Sequence, residues 1–552
     1  MKLFEKESLL IVILVLFSAS LFVTGLSAMP LTDPDEVFYA ETAREMLARG
    51  QVLTPYIFGN PQFEKPPLYY WFVMLGFKIF GINEFSARIA SGIFGIFGVV
   101  GIYLLGKILI NKRAGFFAGI MLATSIKYLA LSRACVTDIL LCVLILYAFL
   151  FFFYAYLSES GKLKRYLLSS VFLALAVLTK GPIGIFLPVV IIGIYLIFVK
   201  ELKKLKEIPV LRGAMLFLAV ALPWYLLMYK VHGKEFIDVF FGFHNIVRFL
   251  KPEHRLGDVF YYYVPILIGG FSPWAAFLPL GIWQAFREKN EKLKKTNIFL
   301  ISWFLVIFVF FSFSRTKLPT YIFPLYPALA LLTGRLFDVF LDKGFTGKQE
   351  KAMNISLYLF LALPIGGLIG LCIVANKKYP AAITPLFIAG IAFVLAMAFF
   401  VTALLKRKYT KGIIFYMMSF AIFMFPLSYI ILPEIGKYES SKHVSKKLLE
   451  FAKPGEELGA ETRYRRGVAF YMKKEDVLDV HRHHIITEFL LRKQRVWCVV
   501  KDKNHIQLYT DSTKGYDNPT YVMYKIGKKV IVTNKVSPGE KFLKLRSIND
   551  PY

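Results

Sequence analysis

Cys135-Val-Thr-Asp138-Ile-Leu-Leu-Cys-Val-Leu-Ile-Leu-Tyr-Ala-Phe-Leu-Phe-Phe-Phe-Tyr-Ala-Tyr-Leu157 is apolar throughout except for one carboxylate near its start. A helix at the surface of a water-soluble protein keeps one wetted face, and this run has none. It is also long enough to cross the hydrocarbon core, which takes roughly 20 residues, so it reads as a membrane span. Stretches of the same character cover 7–29, 84–109, 113–131, 165–180, 181–199, 209–230, 257–286, 297–314, 318–336, 352–375, 381–405 and 412–433, thirteen in all with 135–157.

Composition agrees. The 552 residues are 57% hydrophobic with a mean hydropathy of +0.55, too apolar for a soluble globule. Lys and Arg gather in alternate loops: Lys112 and Arg113; Lys162, Lys164 and Arg165; Lys200 to Lys206; Arg287 to Lys295; Arg335 to Lys351; and Lys406 to Lys411. Cytoplasmic loops collect such residues, so the N-terminus is expected in the cytoplasm. Residues 30–83, the turn near Arg133, Lys180, 231–256, 315–317 and everything after Pro433 then face outward. The net charge of +30 follows from this loop bias and from attraction to anionic membrane lipids, and nucleic acid is excluded as a partner. Cys135, Cys142, Cys372 and Cys498 form no C-x-x-C pair, so neither a disulfide framework nor a zinc knuckle is expected. The apolar run of the first stretch exceeds a usual signal core, which favours an anchor over a cleaved signal.

The span pattern ends at 433. Residues 1–433 form a transmembrane domain and 434–552 a soluble domain, expected as a small α/β fold. Helical periodicity covers 441–452 and 486–493, while Val477 to Val480, Val496 to Val500 and Tyr521 to Val532 alternate like strands. His481, His483 and His484 read as a solvated turn before they read as a metal site.

Chemistry concentrates in the first outer loop. Asp33-Pro34-Asp35-Glu36 starts a helix over 35–49, with acidic residues in the first turn and Tyr39 one turn on from Asp35. That helix is expected to lie in the membrane interface, presenting its first turn to headgroups. Phe63-Glu64-Lys65-Pro66-Pro67-Leu68-Tyr69-Tyr70-Trp71 leads into a second interfacial helix over 66–80. Lys65 is a point charge suited to a phosphate oxygen, and Glu64 is placed to orient it or to bind a cation. Asp138 near the start of its span, Lys180 between two apolar runs, His244 and Arg248 in the longest middle outer loop, and Lys317 with Tyr321 all fall on the same predicted face. An isolated charge at such a place is explained by capping, by snorkelling or, for Asp138, by pairing with Arg133. Together the cations surround acidic groups, as transfer from a phosphate-linked donor requires: cations steady the departing phosphate and a carboxylate orients or deprotonates the acceptor. A polytopic transporter is the competing class, but no inverted repeat is evident and the charges lie in outer loops.

Leu31-Thr-Asp-Pro-Asp-Glu-Val-Phe-Tyr39, Phe63-Glu-Lys-Pro-Pro-Leu-Tyr-Tyr-Trp71, Leu178-Thr-Lys-Gly-Pro182 and Lys317-Leu-Pro-Thr-Tyr321 resemble the lipid A aminoarabinose transferases, which belong with the protein O-mannosyltransferases in the GT-C superfamily of membrane glycosyltransferases. The resemblance spans roughly 7–433. It implies a GT-C fold with about thirteen transmembrane helices, inner-membrane localisation, and inverting transfer on the periplasmic face from a polyprenyl-phosphate sugar to lipid A or to protein. By the same resemblance Asp35 matches the catalytic carboxylate and Asp138 a second acidic position. Glu64 and Lys65 match a pair near the donor phosphate, and Glu36, Tyr39, Lys180, Arg248, Lys317 and Tyr321 line the substrate cavity. No cofactor is required, and a divalent cation at Glu64 and His244 is compatible with the family. Phe38 departs from the arginine that aminoarabinose transferases commonly carry after the Asp-Glu pair, which leaves lipid A and protein both open as acceptors.

Overall fold

The computed structural model of the chain describes residues 6–247, 259, 261–503 and 520–543. A helix α1 (Glu7–Phe22) leads into the first loop, which holds α2 (Asp35–Ala48), a two-stranded ribbon of β1 (Tyr56–Ile57) and β2 (Asn60–Pro61), and α3 (Leu68–Phe80). The bundle continues with α4 (Glu84–Leu109), α5 (Lys112–Thr124), α6 (Ile126–Ser132), α7 (Thr137–Tyr156), α8 (Lys162–Lys180), α9 (Ile183–Phe198) and α10 (Val210–Ile237). It is completed by α11 (Tyr263–Phe271), α12 (Leu278–Phe286), α13 (Glu291–Phe313), α14 (Tyr326–Lys343), α15 (Lys348–Lys378), α16 (Ile383–Leu405) and α17 (Tyr409–Pro426).

A helix occupies every one of the thirteen apolar stretches, but not all are simple spans. Among the described residues eight helices are long and apolar enough to cross a membrane, and up to ten if each of two bent pairs counts as one. The stretch expected as a single helix over 113–131 is bent by 69° between α5 and α6, where Ser125 takes extended backbone angles and turns its hydroxyl onto the Leu122 carbonyl at 2.9 Å. The 257–286 stretch is likewise broken, by 108° after α11, where Pro273 has no N–H with which to continue the ladder. At one end of the bundle the basic loops are tied by ion pairs: Lys295 to Glu201 at 2.7 Å, and Arg113 to both Asp338 and Asp342. The first loop, the start of α7 and the end of α8 lie at the other end.

Beyond α17 a short helix α18 (Leu432–Glu439) connects to a compact α/β unit. Its elements are α19 (Lys442–Phe451), β3 (Glu457–Ala460), α20 (Thr462–Met472), β4 (Leu478–Asp479), α21 (His483–Leu490), β5 (Val496–Lys501), β6 (Tyr521–Ile526) and β7 (Lys529–Thr533). The sheet order is β4-β3-β5-β7-β6, with β3 parallel to both neighbours and the β5-β7-β6 edge antiparallel. The run 521–532, expected as one strand, is a hairpin turning at Gly527. Both faces of β5 are buried: Trp497 and Val499 pack with α19 and α20, whereas Val496, Cys498 and Val500 pack under α21. Alternation that is apolar on both faces marks a covered central strand.

Candidate active site

Helix α2 is polar by composition yet buried along most of its length, and this corrects its expected place in the membrane interface. Glu36, Glu41, Arg44 and Glu45 are all inside the protein. Burial of such groups requires partners, and each has them. Arg44 grips Glu41 through two 2.7 Å bonds, and Glu45 accepts the backbone N–H groups of Phe58 at 2.6 Å and Gly59 at 2.9 Å. The helix is wedged between α3 and α20. Helix α3 is the interfacial one: 13 residues long, it buries Tyr69, Tyr70, Val73 and Phe77 and exposes Leu75, Ile79 and Phe80.

Two adjacent carboxylates at the start of α2 have opposite roles. Glu36 takes Arg88 Nε and Nη2 at 2.7 Å each, Thr32 N–H at 3.0 Å, Thr32 Oγ1 at 2.9 Å and Cys135 N–H at 2.9 Å. Arg88 donates its remaining N–H groups to the carbonyls of Leu26, Met29 and Pro30, so all five donors are used. Burial pushes the Glu36 carboxyl up, but Arg88 and the backbone donors outweigh it and hold it below the usual range. Glu36 is therefore a structural clamp, which corrects its assignment to substrate. Asp35, one residue earlier, accepts no hydrogen bond among the described residues and stays open to the outside. Desolvation by the surrounding protein raises its pKa, Arg466 and Arg463 oppose that rise, and the nearby Asp138 and Glu36 reinforce it.

Asp138 does not pair with Arg133. That arginine donates to the carbonyls of Leu21 and Thr24 and to Ser428 Oγ, while Asp138 takes Lys180 at 2.7 Å. Gly181, at φ +80°, reverses the chain immediately after Lys180 and pins its ammonium at the end of α8. The same ammonium lies 5.8 Å from the centre of the Tyr321 ring. Tyr39 packs on Tyr69 and Tyr70, places its hydroxyl 3.4 Å from Thr137 Oγ1, and lies within electrostatic reach of Asp35, Asp138 and Glu64. Asp35, Tyr39, Glu64, Asp138, Lys180 and Tyr321 thus meet in one site.

Lys65 stands beside Glu64 at the edge of this site. Lys65 donates to the Glu64 carbonyl at 3.2 Å, and the Glu64 carboxylate faces Arg466 at 3.9 Å, which corrects the expected Glu64–Lys65 ion pair. Lys317 is buried at the approach to α14. His244 falls in a π-helical segment, Asp238–Val247, with its side chain outside the described residues, as is the whole of Arg248. No group of three or more His, Cys, Asp or Glu side chains that could hold a metal is found among the described residues.

Sequence reasoning missed Lys127, whose charge acts on Asp138 from α6, and the arginines of α20. The α/β unit is stapled to the first loop on both sides of α2. Ser441 Oγ donates to Asp33 at 2.6 Å and Lys529 lies 3.6 Å from the same oxygen. Tyr471 accepts Leu31 N–H at 2.7 Å, and Lys442 meets Glu84 at 2.6 Å. Burial raises Asp33 to about 7 against the pull of Lys529 and Ser441. The approach is close enough that a Cβ on Gly467 would stand 2.1 Å from Asp33 Oδ1 and 2.8 Å from Ser441 Cβ. Gly467→Leu is expected to detach the unit, read as rapid proteolysis between 434 and 445; wild-type resistance would show that the contact does not hold it.

A family model described as dolichyl-phosphate-mannose-protein mannosyltransferase matches residues 64–227. An uncharacterized protein of Aquifex aeolicus is 30% identical over 444 residues, 80% of this chain and 82% of that protein. The undecaprenyl phosphate-alpha-4-amino-4-deoxy-L-arabinose arabinosyl transferase of Yersinia enterocolitica is 31% identical over 325 residues, 58% of each chain. In sequence the chain is similar to membrane glycosyltransferases that use polyprenyl-phosphate sugars. The crystal structure of ArnT from Cupriavidus metallidurans bound to undecaprenyl phosphate superimposes on this chain with a TM-score of 0.79 at 23% identity, covering 95% of this chain and 98% of that one, so the fold is shared nearly end to end. These likenesses to glycosyltransferases set the transporter alternative aside.

Proposed function

We propose that the protein transfers a sugar from a polyprenyl-phosphate donor to an acceptor at the outer membrane face, in the manner of aminoarabinose transfer to lipid A. The observation that carries the reading is the pair of neighbouring carboxylates: Glu36 is locked by Arg88, whereas Asp35 accepts no hydrogen bond among the described residues and lies within electrostatic reach of Asp138, which holds Lys180. The positive-inside bias of the opposite loops supports a site outside the cytoplasm. In a single displacement the bond between sugar C1 and the phosphate oxygen breaks and its electron pair leaves with the phosphate. The acceptor oxygen bonds C1 from the opposite side, inverting the anomeric centre. Lys65 and Lys180 supply cations for the departing charge, and Asp35 takes the proton of a hydroxyl acceptor or positions an acceptor that is already an anion. An apolar cavity of about 430 Å³ between α7, α8, α9 and α10, lined by Phe149, Phe152, Leu173, Ile192 and Phe217, offers a place for the isoprenoid tail. It begins at Ala148, about 15 Å along α7 from Asp138 at the helical rise per residue.

The relatives divide on the acceptor. Likeness to the arabinosyl transferases goes with the lipid A acceptor that the sequence resemblance implies, while likeness to the protein mannosyltransferase family goes with a protein acceptor. Purified protein in lipid nanodiscs, given polyprenyl-phosphate sugars with lipid A or with hydroxyl-bearing peptides, is expected to glycosylate lipid A; exclusive peptide modification would select the second reading, and no turnover of any such donor would reject transfer. The reading assigns no cofactor, because side-chain cations can take the charge of the departing phosphate. Turnover is expected to be unchanged by EDTA, and loss restored by added Mg²⁺, Mn²⁺ or Zn²⁺ would place a divalent cation in the site.

A further inference from the structure

We propose that Arg466, carried by α20 of the C-terminal unit, is a substrate-binding residue that grips phosphoryl oxygens beside Asp35, an assignment that rests on the transfer reading above. Its guanidinium carbon lies 4.5 Å from the centre of the Phe38 ring, so the aromatic face orients the cation and leaves its N–H edge for a ligand. The nearest carboxylate, Glu64, stands 3.9 Å away, beyond hydrogen-bond distance. Among the described residues no acceptor takes any Arg466 N–H, although the side chain is only 26% exposed. The neighbouring Arg465 is by contrast engaged with the α/β unit and the first loop: its Nε donates to the Val477 carbonyl at 2.6 Å and its guanidinium stacks 3.6 Å from the centre of Phe58. Consecutive arginines on α20 thus repeat the division between Glu36 and Asp35 on α2, one residue holding structure and the next left open.

The position is fixed, because the contacts of Asp33, Leu31 and Glu84 with the α/β unit anchor α20 against the first loop. A planar, permanently charged fork held by stacking suits two phosphoryl oxygens at once, and a lysine cannot reproduce that geometry. The phosphate is either the donor's, between sugar and isoprenoid, or one borne by the acceptor lipid.

The test uses the full chain in nanodiscs with Arg466→Gln, Arg466→Lys and, as a scaffold control, Arg465→Gln. Arg466→Gln is expected to lower kcat/KM by about 10- to 100-fold, the worth of a charged hydrogen bond. Arg466→Lys should recover only part of this, and Arg465→Gln should keep wild-type turnover. Weaker binding of sugar-free undecaprenyl phosphate would place Arg466 on the donor, and a raised KM for the acceptor alone would place it on the acceptor. The acid limb of kcat/KM should also move to higher pH in Arg466→Gln, because a cation opposing Asp138 and Glu36 at Asp35 is gone while Arg463 remains; a purely structural residue would not shift it. Wild-type kcat/KM with an unmoved acid limb, or an equal loss in Arg465→Gln, would overturn the assignment. Absence of wild-type turnover would instead refute the transfer reading, while undecaprenyl phosphate binding lost in Arg466→Gln would still support the contact.

Discussion

Asp35→Asn is expected to reduce transfer by about 10²- to 10⁴-fold, the usual contribution of a positioned general base, with donor affinity and thermal stability close to wild type. The substitution is nearly isosteric, and Asp35 anchors nothing among the described residues, so the fold has no bond to lose there. The loss should track charge. Asp35 acts ionised, and its pKa is raised by the protein around it, by Asp138 and by Glu36 against Arg466 and Arg463. Activity should therefore fall as pH drops through that raised value, at higher pH than an ordinary carboxylate would give. The profile also separates the two acceptors. A hydroxyl acceptor needs Asp35 as its base, so the asparagine variant should lose the acid limb along with the rate. A phosphate acceptor carries its own negative charge, so the asparagine variant should keep an acid limb set by that phosphate and suffer the smaller loss. An Asp35→Asn protein with wild-type turnover would remove Asp35 from the reaction altogether.

The bundle was legible because a span has a length and a polarity that nothing else in a chain imitates. The site was half legible. Asp35, Asp138, Lys180 and Tyr321 could be gathered because topology alone sends them to one face. Their pairings could not, since Asp138 chooses Lys180 over Arg133 through the reversal at Gly181 and the seating of Arg133 on the Leu21 and Thr24 carbonyls. Helix α2 misled for a related reason. Its Glu and Arg residues look like a wetted surface, and only the Phe58 and Gly59 amides, α20 and Arg88 reveal that they are buried polar groups with partners distant in sequence. Arg466 sits more than 400 positions from Asp35 in sequence, yet a signal was present: an arginine-rich first turn of α20 complements the acidic Asp33-Pro34-Asp35-Glu36 of the first loop.

Arg88→Leu should be the most damaging single change outside the reacting groups, costing about 3–5 kcal/mol as for other buried ion pairs deprived of one member. The variant would leave the Glu36 carboxylate inside the protein with only the Thr32 and Cys135 donors, and would orphan the carbonyls of Leu26, Met29 and Pro30. Those carbonyls shape the chain between α1 and α2, so the damage should reach the position of Asp35. Glu36→Gln, which removes the charge but keeps acceptor and donor capacity, should cost less, and combining it with Arg88→Leu should recover part of the loss because no uncompensated carboxylate remains. Thermal unfolding of the detergent-solubilised proteins measures this order. If Arg88→Leu melts with the wild type, Glu36 is not the buried anchor of α2, and the contrast with Asp35 that supports the proposed role of Asp35 loses its basis.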